Sequence, residues 1–285
     1  MGAFRLSRRL DDVVIRSATV SQEGQLWFVS FLVDDGKVVA DTHAQPGSAV
    51  GADRGVVVAI ATSEGGLKDR EFTTTGERRR AVLLQRALSR AAKHSRNRTK
   101  TRAALAEIGG RERRRRQDFC VQIAHQLARE NALVALEGLK TKQMTKSAKG
   151  TVEAPGRNVR AKAGLNRAIL SKGWHQFNLA LESAARYSGT LVVSVPAQYT
   201  SQRCSACGKV DPKSRESQAV FRCLHCPYVG HADVNAARNV LAAGLAVTAC
   251  EDNARPAGRA ASAKQEPAGN REELLLQPPT AATAA

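Results

Sequence analysis

The sequence predicts an α/β protein carrying two inserted segments, and three observations lead there. Of the 285 residues, 42% are hydrophobic, enough for one sizeable core or two small ones. Short apolar runs of strand character alternate with helical periodicities along the chain. Two stretches interrupt that alternation: a block dense in arginine at 78–116, and two cysteine pairs, CSAC and CLHC, at 204–207 and 223–226.

IRSATVSQEGQLWFVSFLVD holds two alternating runs about a Gly-containing turn and predicts a hairpin. SAVGADRGVVVAIATSEGGLKDREFTT follows as three successive strands, the last two joined at SEGG. Leu84, Leu88 and Ala91 then fall at i, i+4, i+7, and Cys120, Ile123, Ala124 and Leu127 at i, i+3, i+4, i+7. These predict an antiparallel helical hairpin over 78–131 with its arginines outside. ALVALEGL is a short apolar run consistent with a buried strand. LNRAILSKGWHQFNLALESAARYSG predicts one helix, with Ile169, Trp174, Phe177, Leu181 and Ala184 near one face and Gly189 just past its end. TLVVSVPA reads as another buried strand, and HADVNAARN opens an alanine-rich final helix. The order βββ, helices, β, α, β, α matches an RNase H-like fold, in which the first and fourth strands are parallel neighbours.

Three acids occupy telling positions in that order. Asp53 lies on the first strand, Glu137 on the fourth and Asp233 at the start of the last helix. Each has a plain alternative: Asp53 as a turn residue before Gly55, Glu137 at a strand edge, Asp233 as a helix cap. Together the fold brings them to one crevice, where three carboxylates repel each other unless cations bind. Two Mg²⁺ or Mn²⁺ ions about 4 Å apart would serve, one activating a water and the other stabilising the leaving oxygen of a phosphodiester. Such a site cuts nucleic acid.

The cysteines carry the most specific local signal. Cys204 and Cys207, then a 15-residue gap, then Cys223 and Cys226, have the spacing of a structural zinc site. Four thiolates fill a tetrahedral shell and leave no open position, so one structural Zn²⁺ is expected. His225 and His231 are spare candidates, Cys120 lies on an apolar helix face as core, and Cys250 has no assigned role.

Charge points to the partner. Lys plus Arg number 44 against 26 Asp plus Glu, a net charge of +18 with a pI near 10.3, which suits a polyanion. From Arg78 to Arg116 there are 15 Lys plus Arg and two acids. A solvated face normally mixes signs, so phosphate contact is the preferred reading. The expected contacts are Arg78, Arg79, Arg80, Arg86, Arg90, Arg96, Arg98, Lys100, Arg102, Arg113, Arg114, Arg115 and Arg116. With 4% aromatic residues, grip through phosphates outweighs base stacking. No run of about 18 apolar residues exists and the N-terminus lacks a signal-peptide core, so an intracellular, nucleoid-associated protein of the cytoplasm without a membrane partner is expected.

The motifs GADRG, VALEGLK, YTSQRCSACG, CLHC and HADVNAARN, in that order, resemble the TnpB (OrfB) family: transposon-encoded, transposase-like proteins understood as RNA-guided DNA nucleases and similar to type V CRISPR effectors. The likeness spans about residues 14 to 245. It implies that Asp53, Glu137 and Asp233 form a RuvC-type catalytic triad, that the cysteines hold a zinc ribbon inserted just before the last acid, and that DNA and a transposon-derived guide RNA are the partners. Gly138 departs from the polar residue usual after the glutamate. The front retains only the final hairpin, Val13 to Val33, of the family's wedge-like β domain, so an N-terminal truncation is expected. Thr141 to Ala163 resembles a mobile lid, with a plain surface loop as the alternative.

The expected division is 1–45 as the remnant of the wedge-like domain, 46–202 as the RuvC-like nuclease core including the basic hairpin, 203–229 as zinc ribbon, 230–248 as the final core helix and 249–285 as a disordered tail. The competing function is a nucleic-acid-binding remnant that does not cut productively. A DDE-type transposase is disfavoured by the ribbon preceding the last acid.

Overall fold

The structure, a computed structural model, describes residues 9–254 except 24, 25, 35 and 37. The tail expected from 249 is instead helical through Ala254 and beyond that falls outside the described residues, as do the first eight positions.

The first two strands, β1 (Val14–Glu23) and β2 (Leu26–Asp34), form a separate antiparallel pair whose side chains are mostly exposed. The core is built on a five-stranded sheet: β3 (Ala49–Asp53), β4 (Ile60–Thr62), β5 (Leu67–Lys68), β6 (Leu133–Glu137) and β7 (Leu191–Val195). Its order is β5-β4-β3-β6-β7. The β3–β4–β5 half is antiparallel, whereas β3, β6 and β7 run parallel, so the first and fourth strands of the expected order are indeed parallel neighbours.

Parallel strands covered on both faces read as continuous apolar runs, and the period of two decides which residue faces which layer. Val50, Ala52, Val134 and Leu136 face α2 (Arg96–Glu130) and α5 (Trp174–Ser188), joining Phe119, Cys120, Ala124, Leu127, Phe177 and Leu181 in the main cluster. The alternate set, Ala135, Val193 and Val195, packs on Val240 of α6 (Ala232–Ala254). Asp53, two positions after Gly51, and Glu137, two after Ala135, belong to this second face.

Helix α6 can lie close to the central strands because small residues meet there. A Cβ added at Gly51 would stand 2.1 Å from the main-chain oxygen of Ala237, and one at Gly244 would stand 2.5 Å from the Cβ of Ala135. Only hydrogen fits at either point.

The helical hairpin comprises α1 (Thr75–Arg90) and α2. Thr74 and Glu77 form a reciprocal capping box at the start of α1, and Ser95 accepts from the Arg98 N–H at the start of α2. Cys120, Ala124 and Leu127 are core, with Ile123 packed against them, as their spacing predicts. Helix α1 buries no residue; Leu84, Leu88 and Ala91 are only half-buried. The helix predicted from Leu165 to Gly189 is in fact two, α4 (Val159–Ser171) and α5, parted at Gly173 with φ +72°. Gly189 caps α5 at φ +71°. The segment before α4 contains α3 (Thr141–Met144), and Asn166 ties its end down by donating to Thr145 O at 2.8 Å. A small antiparallel pair, β8 (Val220–Arg222) and β9 (Val229–His231), leads directly into α6. Among the described residues no helix is long and apolar enough to cross a membrane.

Candidate active site and metal centre

Two tight turns present the cysteines. In the first, Gly208 N–H donates to Cys204 O at 2.9 Å and Cys204 N–H to Lys209 O at 2.9 Å, with Gly208 at φ +75°. In the second, Cys223 N–H donates to Tyr228 O at 3.0 Å, and His225 N–H points at Cys223 Sγ at 3.3 Å. All four sulfurs lie within 4.8 Å of one another, with Cys204–Cys226 and Cys207–Cys223 separations of 3.7 and 3.6 Å. A tetrahedron of thiolates about 2.3 Å from zinc has edges of about 3.8 Å, so the donor set fits this soft cation. Neither histidine competes: His225 Nε2 lies 3.3 Å from Asp211 Oδ2, while His231 Nδ1 accepts from Asp233 N–H at 3.2 Å. Phe221, fully buried and 6.2 Å from the Tyr228 ring, anchors the small core beneath.

The three acids meet where the strand arithmetic sends them. The last ladder pair between β3 and β6 is Ala52 with Leu136, so Asp53 and Glu137 each stand one residue beyond it, pointing to the α6 face. Asp233 is the second residue of α6 and is not its cap; the His231 ring fills that role. All three are buried. Burial first, then the neighbouring charges of Glu137 and Asp233, push the Asp53 carboxyl up to about 7, partly offset by Arg215. Asp233 Oδ1 accepts from Arg215 Nη2 at 2.8 Å, and Glu137 Oε1 accepts from the Thr200 hydroxyl. Among the described residues the four cysteines are the one group of three or more donor side chains placed to hold a metal ion as they stand.

Sequence reasoning missed the groups that link ribbon to acids. Asn235 and Asn239, one turn apart on α6, grip the root of the ribbon. Asn235 Nδ2 donates to Arg203 O at 2.7 Å and its Oδ1 accepts from Ser205 N–H at 2.9 Å. Asn239 Nδ2 donates to Thr200 O at 2.9 Å and to Arg203 O at 2.7 Å. An i, i+4 asparagine pair in an alanine-rich helix was the available signal, since helix interiors disfavour asparagine unless it has a partner. Gly138 also has a local reason: a Cβ there would approach Ser194 Oγ to 3.1 Å and Val195 O to 3.3 Å.

The basic hairpin requires a correction. Its arginines are not all outside. Arg115 and Arg111 pair with Glu77 at 2.6 and 2.8 Å, and Arg114 pairs with Glu23 at 2.6 Å, as does Arg113. Arg116 reaches Glu112 at 3.2 Å, and Arg78 reaches Glu71 at 2.5 Å. Arg98 donates to the C-terminal carbonyls Leu88 O and Ala91 O of α1, at 2.8 and 3.2 Å. Hydrogen bonding from Arg115, with that from the Thr74 main chain, holds Glu77 at about 2, far below the usual glutamate range. Arg79, Arg80, Arg86, Arg90, Arg96, Lys100 and Arg102 are exposed, with no acidic partner among the described residues.

Comparison with known proteins adds the following. Residues 29–148 match the OrfB IS605 family model, described as "Probable transposase", and residues 174–240 match a family model described as "Cas12f1-like, TNB domain". The chain is 39% identical over 264 residues to "Putative RNA-guided DNA endonuclease InsQ" of Escherichia coli (strain K12), covering 93% of this chain and 64% of that protein. It is 34% identical over 259 residues to "Putative RNA-guided DNA endonuclease" of Streptomyces pristinaespiralis, covering 88% and 60%. It thus spans less than two thirds of the length of these relatives. Among solved structures, a Cas12f1–sgRNA–target DNA complex aligns over 75% of this chain and 42% of that one, at 19% identity and a TM-score of 0.49.

Proposed function

We propose that this chain is a member of the TnpB (OrfB) family, and on that premise a transposon-encoded, RNA-guided DNA endonuclease acting in the cytoplasm at the nucleoid. The observation that carries the reading is the convergence of Asp53, Glu137 and Asp233 at the ends of two parallel strands, beneath a four-cysteine ribbon. The sheet order and its mixed direction support an RNase H-like, RuvC-like core at 46–202, with the ribbon at 203–229 inserted before the final helix, Ala232–Ala254.

Hard carboxylate oxygens suit Mg²⁺ or Mn²⁺, and an Asp53 pushed up by burial and then by its acidic neighbours is a group that a divalent cation would hold ionised. Asp53, Glu137 and Asp233 would hold two such ions, which when bound supply water activation and leaving-oxygen stabilisation at a phosphodiester. The chain's own residues set the geometry. The Thr200 hydroxyl fixes the Glu137 carboxylate, and Arg215 occupies one oxygen of Asp233 while Oδ2 faces Gly55. The buried walls exclude bulk water from the acids, which strengthens every charge interaction there.

The test is cleavage by purified protein, with and without its copurifying RNA, on single-stranded and duplex DNA matching that RNA. Mg²⁺- or Mn²⁺-dependent cutting that requires the RNA is expected. Binding without any cutting would favour the non-productive remnant.

Nucleic-acid grip should come from the unpaired arginines. Replacing Arg79, Arg80, Arg86 and Arg90 by alanine is expected to flatten the dependence of log affinity on log salt, by about 0.7 to 0.9 per lost phosphate contact. Arg115→Ala should instead lower the unfolding midpoint, because it strips Glu77 of its closest partner. An unchanged slope in the fourfold variant would assign the block to a solvated face.

A further inference from the structure

Arg54 is the one buried arginine among the described residues, only 4% exposed. It follows Asp53, so the alternation of the strand turns it to the opposite face of the sheet, toward α5. There Nη1 donates to Asn178 Oδ1 at 2.6 Å and Nη2 donates to the main-chain oxygen of Glu137. Its Nε is buried without a partner.

A buried guanidinium is costly unless its charge and donors are matched, and an apolar side chain of similar volume would usually serve packing as well or better. Burial lowers the pKa of Arg54, while the charges of Glu137 and Asp53 act in the opposite sense, so its counter-charges are the acids across the sheet. The hydrogen bond to Glu137 O comes just where the β3–β6 ladder has ended at Ala52 and Leu136. Beyond that pair the guanidinium ties the strand end bearing Asp53 to the main chain of the strand end bearing Glu137, alongside the side-chain hydrogen bond between the two carboxyls.

We propose that Arg54 is a positioning residue of the acid site: held by Asn178, it clamps the Glu137 main chain to the strand of Asp53 and so sets the separation of the two carboxylates before any cation arrives. This rests on the reading of the acids as a divalent-cation site. It also makes a counter-intuitive demand. If Arg54 acted only as a nearby positive charge, removing it would strengthen cation binding; if it acts by position, removing it weakens cation binding although a repulsion has been deleted.

The test is Mn²⁺ titration of the full, zinc-loaded chain, followed by the electron paramagnetic resonance signal of free Mn²⁺, for the parent, Asp53→Ala, Arg54→Met, Arg54→Lys and Asn178→Ala. Arg54→Met is expected to bind Mn²⁺ about tenfold to a hundredfold more weakly, the range for residues that orient metal ligands. Arg54→Lys, which keeps the charge but cannot fork between two acceptors, should fall in the same direction. Asn178→Ala should fall less, because the guanidinium retains its bond to Glu137. Mn²⁺ binding by Arg54→Met as tight as or tighter than the parent's overturns the proposal. Where Arg54→Met fails to retain its zinc and its helical circular dichroism, Arg54→Lys decides by the same criterion. A parent that binds no Mn²⁺, or an Asp53→Ala that binds it equally well, overturns the reading of the acids themselves, a result distinct from a normal parent with unaffected Arg54 variants.

Discussion

Asp53→Ala and Asp233→Ala are each expected to reduce metal-dependent cleavage by about a thousandfold or more, because each would delete a ligand from the proposed cation site, whose charge stabilisation would lower the barrier by several kcal/mol. Affinity for nucleic acid should be unchanged or slightly raised, since a negative charge near phosphates has been removed. Equal cutting by parent and both variants would remove the three acids from the mechanism. The same site gives a pH signature without any substrate. In the metal-free protein the Asp53 carboxyl, normally near 3.8, is pushed up to about 7. The folded state therefore binds the proton more tightly than the unfolded chain. The contribution is fully present below about pH 4 and is lost as the pH rises through about 7, on the order of a few kcal/mol. The unfolding midpoint of metal-free protein should accordingly drop between pH 5 and pH 8, and Asp53→Ala should abolish most of that drop. Added Mn²⁺ should raise the midpoint more at pH 8 than at pH 5, where protons compete for the same oxygens. A metal-free midpoint with the same pH slope in parent and Asp53→Ala would remove the raised Asp53 carboxyl from the account.

Loss of zinc should be the second large effect. Elemental analysis is expected to find about one zinc per chain, and Cys204→Ser or a strong chelator to eliminate it. Structural zinc binding in small sites is worth about 10 kcal/mol or more, and zinc held by the four cysteines would supply that as folding free energy for 203–229. The damage should not stop at the ribbon. Arg203, at its root, is held by both Asn235 and Asn239, Thr200 just before it fixes Glu137, and Arg215 within it neutralises Asp233. Zinc removal should therefore weaken Mn²⁺ binding at the acids as well as melt the ribbon. Full Mn²⁺ affinity in a zinc-free protein would uncouple the two sites.

The residues readable from sequence were those whose role follows from local spacing. Val134 to Leu136 show strand burial in a short apolar run, and the two C-x₂-C pairs are a complete chemical statement in eight positions. The acids were legible because strand order places them. The groups that hold them were not: Thr200 meets Glu137 across 63 residues, and Arg54 meets Asn178 across 124. Local periodicity carries no information about such pairs. The pairing within the arginine block was hidden for the same reason, since Glu23, the partner of Arg114, lies 91 residues upstream. The break between α4 and α5 at Gly173 was hidden because the apolar face continues through it; only the glycine's left-handed backbone marks the boundary.

The position of α6 has a consequence for how the protein comes off the ribosome. The helix that covers Ala135, Val193 and Val195 and carries the last acid is the final described element, 180 residues after Asp53. At about 5 to 20 residues per second, roughly ten to forty seconds of synthesis separate the first acid from the third. Through that interval the strands bearing Asp53 and Glu137 have one face open. The acid site is therefore assembled last, by the same stretch of chain that closes the fold, and a chain stalled before residue 233 carries a half-covered sheet with an incomplete acid set.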